Sequence, residues 1–282
     1  MTGPRRVDRI TSSVPTVEGA GVHLKRAFGN KEAPMYDPFL LLDDFHSQNP
    51  ADYRAGFPWH PHRGIETVTY VIEGRVDHGD SLKNKGTIGP GDVQWMTAGS
   101  GIIHQEMPKG HNGSLWGLQL WVNLPAAEKM TKPKYRGIKS SEVPEKEISK
   151  GVKAKVICGI LGDAVGPVSG ISVDPLYADI SVEKGASASL KLDEGKSAFV
   201  YVLDGEGQFG SPKRQARPED LLLLSDGSSL EVAAGAKKLR FILVSGKPLK
   251  EPIAWYGPIV MNTNKELEQA FDEYRRGTFL KD

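Results

Sequence analysis

Tyr70-Val71-Ile72-Glu73-Gly74 returns 131 residues later as Tyr201-Val202-Leu203-Asp204-Gly205. Each copy is a short apolar strand closed by a glycine turn. Farther along, Pro90-Gly91-Asp92 precedes an apolar run, and Pro218-Glu219-Asp220 precedes Leu221–Leu224, 128 residues on. Two matched features in the same order at nearly one spacing predict two similar domains from a duplication. The 282 residues fit that count at roughly 150 residues per domain. The division falls at 1–135 and 136–282. Between the copies, Pro125 to Lys150 is rich in Lys, Glu, Ser and Pro and reads as a linker, with a short helical candidate at Ala126–Met130. The residues before about 35 read as an outer strand of either domain.

Around the repeat, short apolar or alternating runs recur every 8–12 residues or so between Gly, Pro and Asp turns, the spacing of an all-β sandwich or barrel. Expected strands include Glu66–Glu73, Asp92–Thr97, Leu115–Val122, Leu176–Val182, Ala198–Leu203, Leu221–Ser225 and Leu239–Val244. Leu176, Ala178, Ile180 and Val182 share one face of theirs. One long helix is expected, at the C-terminal end. Thr263-Asn264-Lys265-Glu266 is a capping box, Leu267, Ala270, Phe271 and Tyr274 follow at helical spacing, and Gly277 can end it.

Composition removes several classes. Lys and Arg total 36 against 35 Asp and Glu, a net charge of +1, too balanced for a nucleic-acid surface. Glycine (32) and proline (19) are enriched but stay below the low-complexity range, so they read as turns. No apolar run reaches the roughly 18 residues of a membrane span. No apolar stretch follows Arg5-Arg6, which argues against a signal peptide. Cys158 is the one cysteine, flanked by Val156-Ile157 and Ile160-Leu161, and reads as a buried thiol in a cytoplasmic protein, nuclear also if the cell has a nucleus.

All seven histidines lie within the first 111 residues. His60-Pro61-His62 leads into the strand at 66–73. Residues two apart on a strand face one way, with Cα atoms about 6.6–6.8 Å apart, close enough for two imidazoles to share an ion. His104-Gln105-Glu106 repeats the arrangement after the glycine-rich corner Thr97–Gly101. Together they offer three imidazoles and one carboxylate, a donor set for Fe, Mn, Ni, Cu or Zn. Four side chains on a six-coordinate ion leave open positions suited to O2 or a bidentate oxygen ligand, which favours iron; a zinc hydrolase site is the competing chemistry. Glu66 shares the parity of His60 and His62 and is expected near the ion as a neighbour or an acid/base. Arg63, at opposite parity, is expected to point outward. His46 is a candidate for the mouth of the site and His78 for its wall. His23 and His111 have no partner pattern. Of Trp59, Trp95, Trp116 and Trp121, most are expected in the core, with Trp59 at the pocket edge.

These residues resemble a family. His60-x-His62-x3-Glu66 with Gly74 resembles the first cupin motif, and Pro90-Gly91-Asp92 with Gly101-x2-His104 resembles the second. More specifically, the chain resembles the pirins, from about residue 5 to the end. The segments Asp37–Phe45, Pro58–Tyr70, Gly91–His104, Leu118–Leu124 and Gly257–Asn264 carry the likeness. The resemblance implies an all-β bicupin: two jelly-roll-like, double-stranded β-helix barrels with a short linker and a C-terminal helix. It implies one iron, Fe(II) or Fe(III), in the N-terminal barrel on His60, His62, His104 and Glu106. The second barrel carries Lys191, Asp193, Val232 and Ala234 at the repeat offsets and lacks the site. The resemblance further implies a quercetin 2,3-dioxygenase-type activity. A small flavonol-like substrate binds through its 3-hydroxyl oxygen, Glu106 or Glu66 takes that proton as general base, and O2 opens the ring with release of carbon monoxide. The alternative it implies is an iron-dependent co-regulator of transcription that works through a protein partner, with no direct nucleic acid and no membrane. A third reading is another cupin chemistry on Zn or Mn.

Overall fold

The computed structural model describes residues 3–281. Nearly all of its regular structure is strand, and it divides into two compact units. One unit comprises residues 14–33, 39–140 and 249–282. Within it a seven-stranded antiparallel sheet runs in the order Lys134–Ile138, Val93–Thr97, Ile65–Glu73, Leu115–Asn123, Phe39–Ser47, Val22–Phe28, Val14–Glu18. A four-stranded sheet runs Phe57–His62, Ile102–Lys109, Arg75–Asp80, Lys85–Ile88. Val22, Leu24, Phe45, Val71, Val76, Ile88 and Leu115 form one apolar cluster of this unit. Removing a side chain of that kind, as in Leu115→Ala, costs about 2–5 kcal/mol.

The other unit comprises residues 1–13, 34–38 and 141–248. It repeats the plan. Seven strands run Val7–Ser12, Asp220–Leu224, Ser197–Asp204, Leu239–Gly246, Leu176–Val182, Val152–Cys158, Glu145–Ser149, and four run Ser187–Lys191, Ser229–Ala234, Gly207–Phe209, Arg214–Ala216. Its main core cluster is apolar, filled by Leu190, Val200, Phe209, Leu230, Val232, Phe241 and their neighbours. The duplication inferred from Tyr70 and Tyr201 is thus visible as two copies of one two-sheet architecture.

Two local expectations need correction, and the placing of the early residues is made definite. The units are discontinuous along the chain, whereas the repeat predicts a linear division, 1–135 and 136–282. The early strands go both ways: Val7–Ser12 pairs with Asp220–Leu224, while Val14–Glu18 pairs with Val22–Phe28. The stretch 125–150 is more than a linker. It holds the edge strands Lys134–Ile138 and Glu145–Ser149, and the helical candidate is one 3-10 turn at Ala126–Glu128. Charged residues on such edges (Lys134 and Arg136 on one, Glu145, Lys146 and Glu147 on the other) are how sheets avoid pairing further, and they hid these strands from a hydrophobicity reading.

The C-terminal helix, Asn264–Arg275, begins with the expected capping box, Thr263 accepting from the Glu266 amide and Glu266 from the Thr263 amide. It ends in a Schellman motif: Thr278 N–H donates to the Glu273 carbonyl (2.9 Å) and Gly277 N–H to that of Tyr274 (3.2 Å), with Gly277 at φ +71°. Ala270 packs with Ile259, Met261 and Phe279, so the helix covers a β-surface of its own unit.

Candidate metal centre

The histidines converge because two antiparallel strands place them there. His60 and His62 lie two apart on Phe57–His62, and His104 stands directly opposite His60 on Ile102–Lys109. Ring centroids lie 4.8 Å (His60–His62), 4.4 Å (His60–His104) and 5.0 Å (His62–His104) apart. One nitrogen from each falls within 4.8 Å of the others, and among the described residues this is the group that could hold a metal ion.

The tautomers follow from the partners. His60 Nδ1 lies 2.8 Å from the Pro58 carbonyl and His62 Nδ1 3.0 Å from the Pro258 carbonyl. A carbonyl oxygen only accepts, so each Nδ1 carries a proton and Nε2 is the nitrogen each ring turns inward. The two Nε2 atoms then meet at 3.0 Å. His104 is 1% exposed and neither of its ring nitrogens has a protein partner. Burial first, then neighbouring imidazoles, push His62 and His104 well below the ordinary imidazole pKa. Three imidazoles that each bring a nitrogen within 4.8 Å of the others, two of them oriented through Nδ1–H to a carbonyl, fit a divalent metal ion.

Glu106 lies on the same face of its strand as His104; Gln105 alternates to the other face. Its oxygens accept from Thr69 Oγ1 (2.9 Å) and Gln119 Nε2 (2.9 Å). Gln119 Oε1 in turn accepts from Trp121 Nε1 (3.0 Å). An indole only donates and a carboxylate only accepts, so this chain has a single sense, Trp121 to Gln119 to Glu106. The Trp121 ring stands edge-on to His62, centroids 5.0 Å apart.

The group that could hold a metal ion comprises the three histidines; Glu106 lines the same cavity beside His60 and His62, whereas Glu66 is not brought there. The parity that would have carried it there assumed one strand from 60 to 66. Gly64, at φ +77°, ends the first strand, and a second begins at Ile65. On that second strand Thr69 faces Glu106, so Thr67 and Val71 share its side and Glu66, Val68 and Tyr70 take the other. Glu66 Oε1 accepts from Thr97 Oγ1 at 2.6 Å, and burial raises its pKa. Gly64 has a further reason to be glycine: a Cβ there would sit 1.9 Å from the Val260 carbonyl oxygen.

Arg63 also departs from expectation. It is 2% exposed, with Nε on the Ser100 carbonyl (2.7 Å), Nη2 on that of Phe279 (2.8 Å), and Nη1 against Glu273 (2.8 Å). His46 is exposed and stacks on Trp116. His78 stands opposite Glu106 across the sheet, its Nδ1 2.5 Å from Tyr135 Oη, so it is a wall residue with a specific partner. Cys158 is buried, its Sγ 3.2 Å from the Val168 carbonyl.

A cavity of about 580 Å³ opens beside His60, His62 and Glu106. Phe57, Trp59, Trp121 and Trp255 give it aromatic walls, and Trp59, 52% exposed, stands at the rim as expected. On another wall Arg26 forks onto both Asp43 oxygens at 2.8 Å and reaches Glu18 at 2.9 Å. The size suits a ligand of several rings and the walls suit a flat aromatic one. Sequence reasoning missed Gln119, Trp255 and Pro258; no spacing signal points to them, since Gln119 acts by linking Trp121 to Glu106, Pro258 through its backbone carbonyl, and Trp255 is wall.

In the second unit the strand pair equivalent to the histidine strands is Ser187–Lys191 with Ser229–Ala234, where Val232 stands opposite Ala188 and Leu230 opposite Leu190. His104 opposite His60, and Ile102 opposite His62, have this same register. The counterparts of His60 and His62 are therefore Ala188 and Leu190 rather than Lys191 and Asp193, which are exposed. The offset of 128 holds for this strand pair, and 131 only for the Tyr70/Tyr201 strand. Ala188, Leu190, Val232 and Ala234 offer no ligand atom.

Among the described residues no helix is long and apolar enough to cross a membrane. Comparison with known proteins matches residues 21–122 to the Pirin family and 177–280 to the Pirin C-terminal cupin domain. A Pseudomonas aeruginosa protein named "Putative quercetin 2,3-dioxygenase" is 45% identical over 98% of this chain and 99% of its own. Human pirin is 41% identical over 98% of this chain and 94% of its own. The crystal structure of a quercetin 2,3-dioxygenase from Acinetobacter baumannii superposes with a TM-score of 0.88 at 32% identity, covering 98% of each chain.

Proposed function

This chain belongs to the pirin family, and from that premise we propose that it is an iron-dependent dioxygenase that opens the ring of a flavonol, with quercetin as the model substrate. His60, His62, His104 and Glu106 hold the iron, one per chain. The observation that carries the reading is the meeting of inward-facing imidazole nitrogens at the floor of an aromatic-walled cavity.

The iron supplies a Lewis-acidic, redox-active centre at which the flavonol oxygen and O2 are brought to react. The protein's own part is positioning and proton transfer. Trp59, Trp121 and Trp255 take the flat rings. Glu106 lines the cavity and accepts the 3-hydroxyl proton on a carboxylate oxygen. Thr69 and Gln119 keep that carboxylate fixed while its proton count changes. Glu66 faces the other side of its strand and takes no part.

The test is anaerobic purification, metal analysis, and O2 uptake with quercetin. The reading expects close to one iron per chain and uptake that disappears in His104→Ala together with the metal. Ring cleavage that persists in metal-depleted protein refutes it, as do two irons per chain.

A further inference from the structure

The segment at 254–261 donates no side chain to the histidine cluster, yet it holds one of its members in place. It forms a two-stranded hairpin, Ala254–Tyr256 with Ile259–Met261, whose turn carries Gly257 and Pro258. The hairpin lies alongside residues 62–64: Arg63 bridges Ile259 in parallel, and Val260 N–H donates to the Arg63 carbonyl at 3.1 Å. That register puts the Pro258 carbonyl on His62 Nδ1. The same hairpin brings Trp255, Gly257 and Pro258 to the cavity wall.

The Arg63 side chain fastens the helix and tail that come after the hairpin. Its three nitrogens go to the Ser100 carbonyl, the Phe279 carbonyl and the Glu273 carboxylate, and its guanidinium lies 4.3 Å from the centre of the Phe279 ring. One buried side chain therefore joins the glycine corner before His104, the C-terminal helix and the tail behind it. A guanidinium is suited to this because its planar fork meets several fixed acceptors at once and stacks on an aromatic face.

We propose that Arg63 is a positioning residue for His62: by clamping the helix and tail it keeps the 254–261 hairpin in register, keeps the Pro258 carbonyl on Nδ1, and so sets the metal affinity of the centre. The inference rests on the metal site proposed above. It makes metal retention depend on a stretch of chain nearly 200 residues away from the ligand it serves, the separation of His62 and Pro258 being 196.

The test is titration of Co(II) into metal-free protein, read by its visible ligand-field bands and by competition with a chelator. Arg63→Met is expected to weaken Co(II) by about 10- to 100-fold, the usual effect of losing a partner behind a metal ligand, and to shift the bands. Arg63→Lys, which keeps a charge for Glu273 but not the fork, should fall between. Val200→Ala, in the apolar core of the other unit, lowers the melting temperature but should leave Co(II) affinity unchanged. If Arg63→Met does not fold, Glu273→Ala removes the far end of the clamp together with the Glu273 contacts to Lys281 and Gln269, and should weaken Co(II) at least about threefold. Variants at Arg63 and Glu273 that bind within twofold of wild type with unchanged bands overturn the proposal, and so does an equal loss in Val200→Ala. Wild-type protein that binds no Co(II) overturns the metal reading and this inference with it.

Discussion

Replacing Gln119 by Leu tests whether the Trp121–Gln119–Glu106 chain holds the carboxylate for the metal. The change removes the bonds to Glu106 and from Trp121, a longer one to Thr69 (3.4 Å), and little volume. The bond from Nε2 to Glu106 is 2.9 Å long and goes to a carboxylate oxygen; hydrogen bonds to charged groups contribute about 1.5–3 kcal/mol. The bond from Trp121 leaves an indole N–H unmade in a side chain only 9% exposed, at a cost of about 1–3 kcal/mol. Gln119 is half-buried, and the leucine gains some apolar burial, so the net loss in the metal-free protein should be near 2 kcal/mol. For a domain of this size that is a melting shift of roughly 4–8 °C. The metal should respond separately. A freed Glu106 samples more orientations, and affinity should drop by about 10- to 100-fold, or about 1.4–2.7 kcal/mol. Thermal unfolding of metal-free protein and Co(II) competition against a chelator measure the two quantities independently. Gln119→Glu is the companion variant: it keeps an acceptor for Trp121 but sets carboxylate against carboxylate, so it should spare stability better at low pH than at neutral pH. Co(II) affinity within twofold of wild type in Gln119→Leu would refute the claim that this chain orients Glu106.

Three further outcomes are expected. Co(II) at 100 times its Kd should stabilise the wild-type protein by about 2.7 kcal/mol in a thermal melt and His104→Ala not at all, because the two lone imidazole nitrogens of His104 have no other use. Glu66→Gln should leave O2 uptake with quercetin within about twofold of wild type, since its carboxyl pairs with Thr97 on the far face; a loss of about 100-fold would return Glu66 to the chemistry. Lys129 is 1% exposed, donates to Asn123 Oδ1 (2.7 Å) and the carbonyls of Gly64 (2.9 Å) and Val260 (3.1 Å), and burial brings its pKa down to about 8. Between that value and the ordinary lysine value the unfolded chain holds a proton that the folded chain has released. The stability of the wild type relative to Lys129→Met should therefore rise as pH climbs from about 8 to about 10.5 and stay level below about 8; urea unfolding across that range reads it, and a falling difference would contradict the sign.

The meeting of the histidines was legible because alternation within one strand survives into the structure. His60 with His62, and His104 with Glu106, need only that each pair share a strand. Glu66 was misplaced by the same logic carried one residue too far, across Gly64, whose left-handed backbone is a property of the residue type but whose necessity comes from Val260 in a distant hairpin. Arg63 looked like a surface charge because its acceptors at Glu273 and Phe279 lie over 200 positions away. The duplicated barrels were visible in Tyr70 and Tyr201. The assignment of Val7–Ser12 to one unit and 249–282 to the other was not, since β-pairing between remote segments leaves no local periodicity. The second-barrel counterparts shifted from Lys191 and Asp193 to Ala188 and Leu190 because the spacing between matched strands differs by three residues in the two halves, which a single offset cannot express.

The discontinuity of the two units has a consequence for how the protein is made. Chains fold largely in the order in which they leave the ribosome. Here the three histidines and Glu106 emerge early, but the carbonyl that orients His62 and the clamp that secures it belong to a segment translated after the whole of 141–248. The first barrel must wait, partly assembled, while the second is synthesised. Metal captured before then would meet an incomplete site. On the metal reading proposed above, loading falls to the finished chain, and expressing residues 1–135 alone would yield His60, His62, His104 and Glu106 without the segment that orients His62.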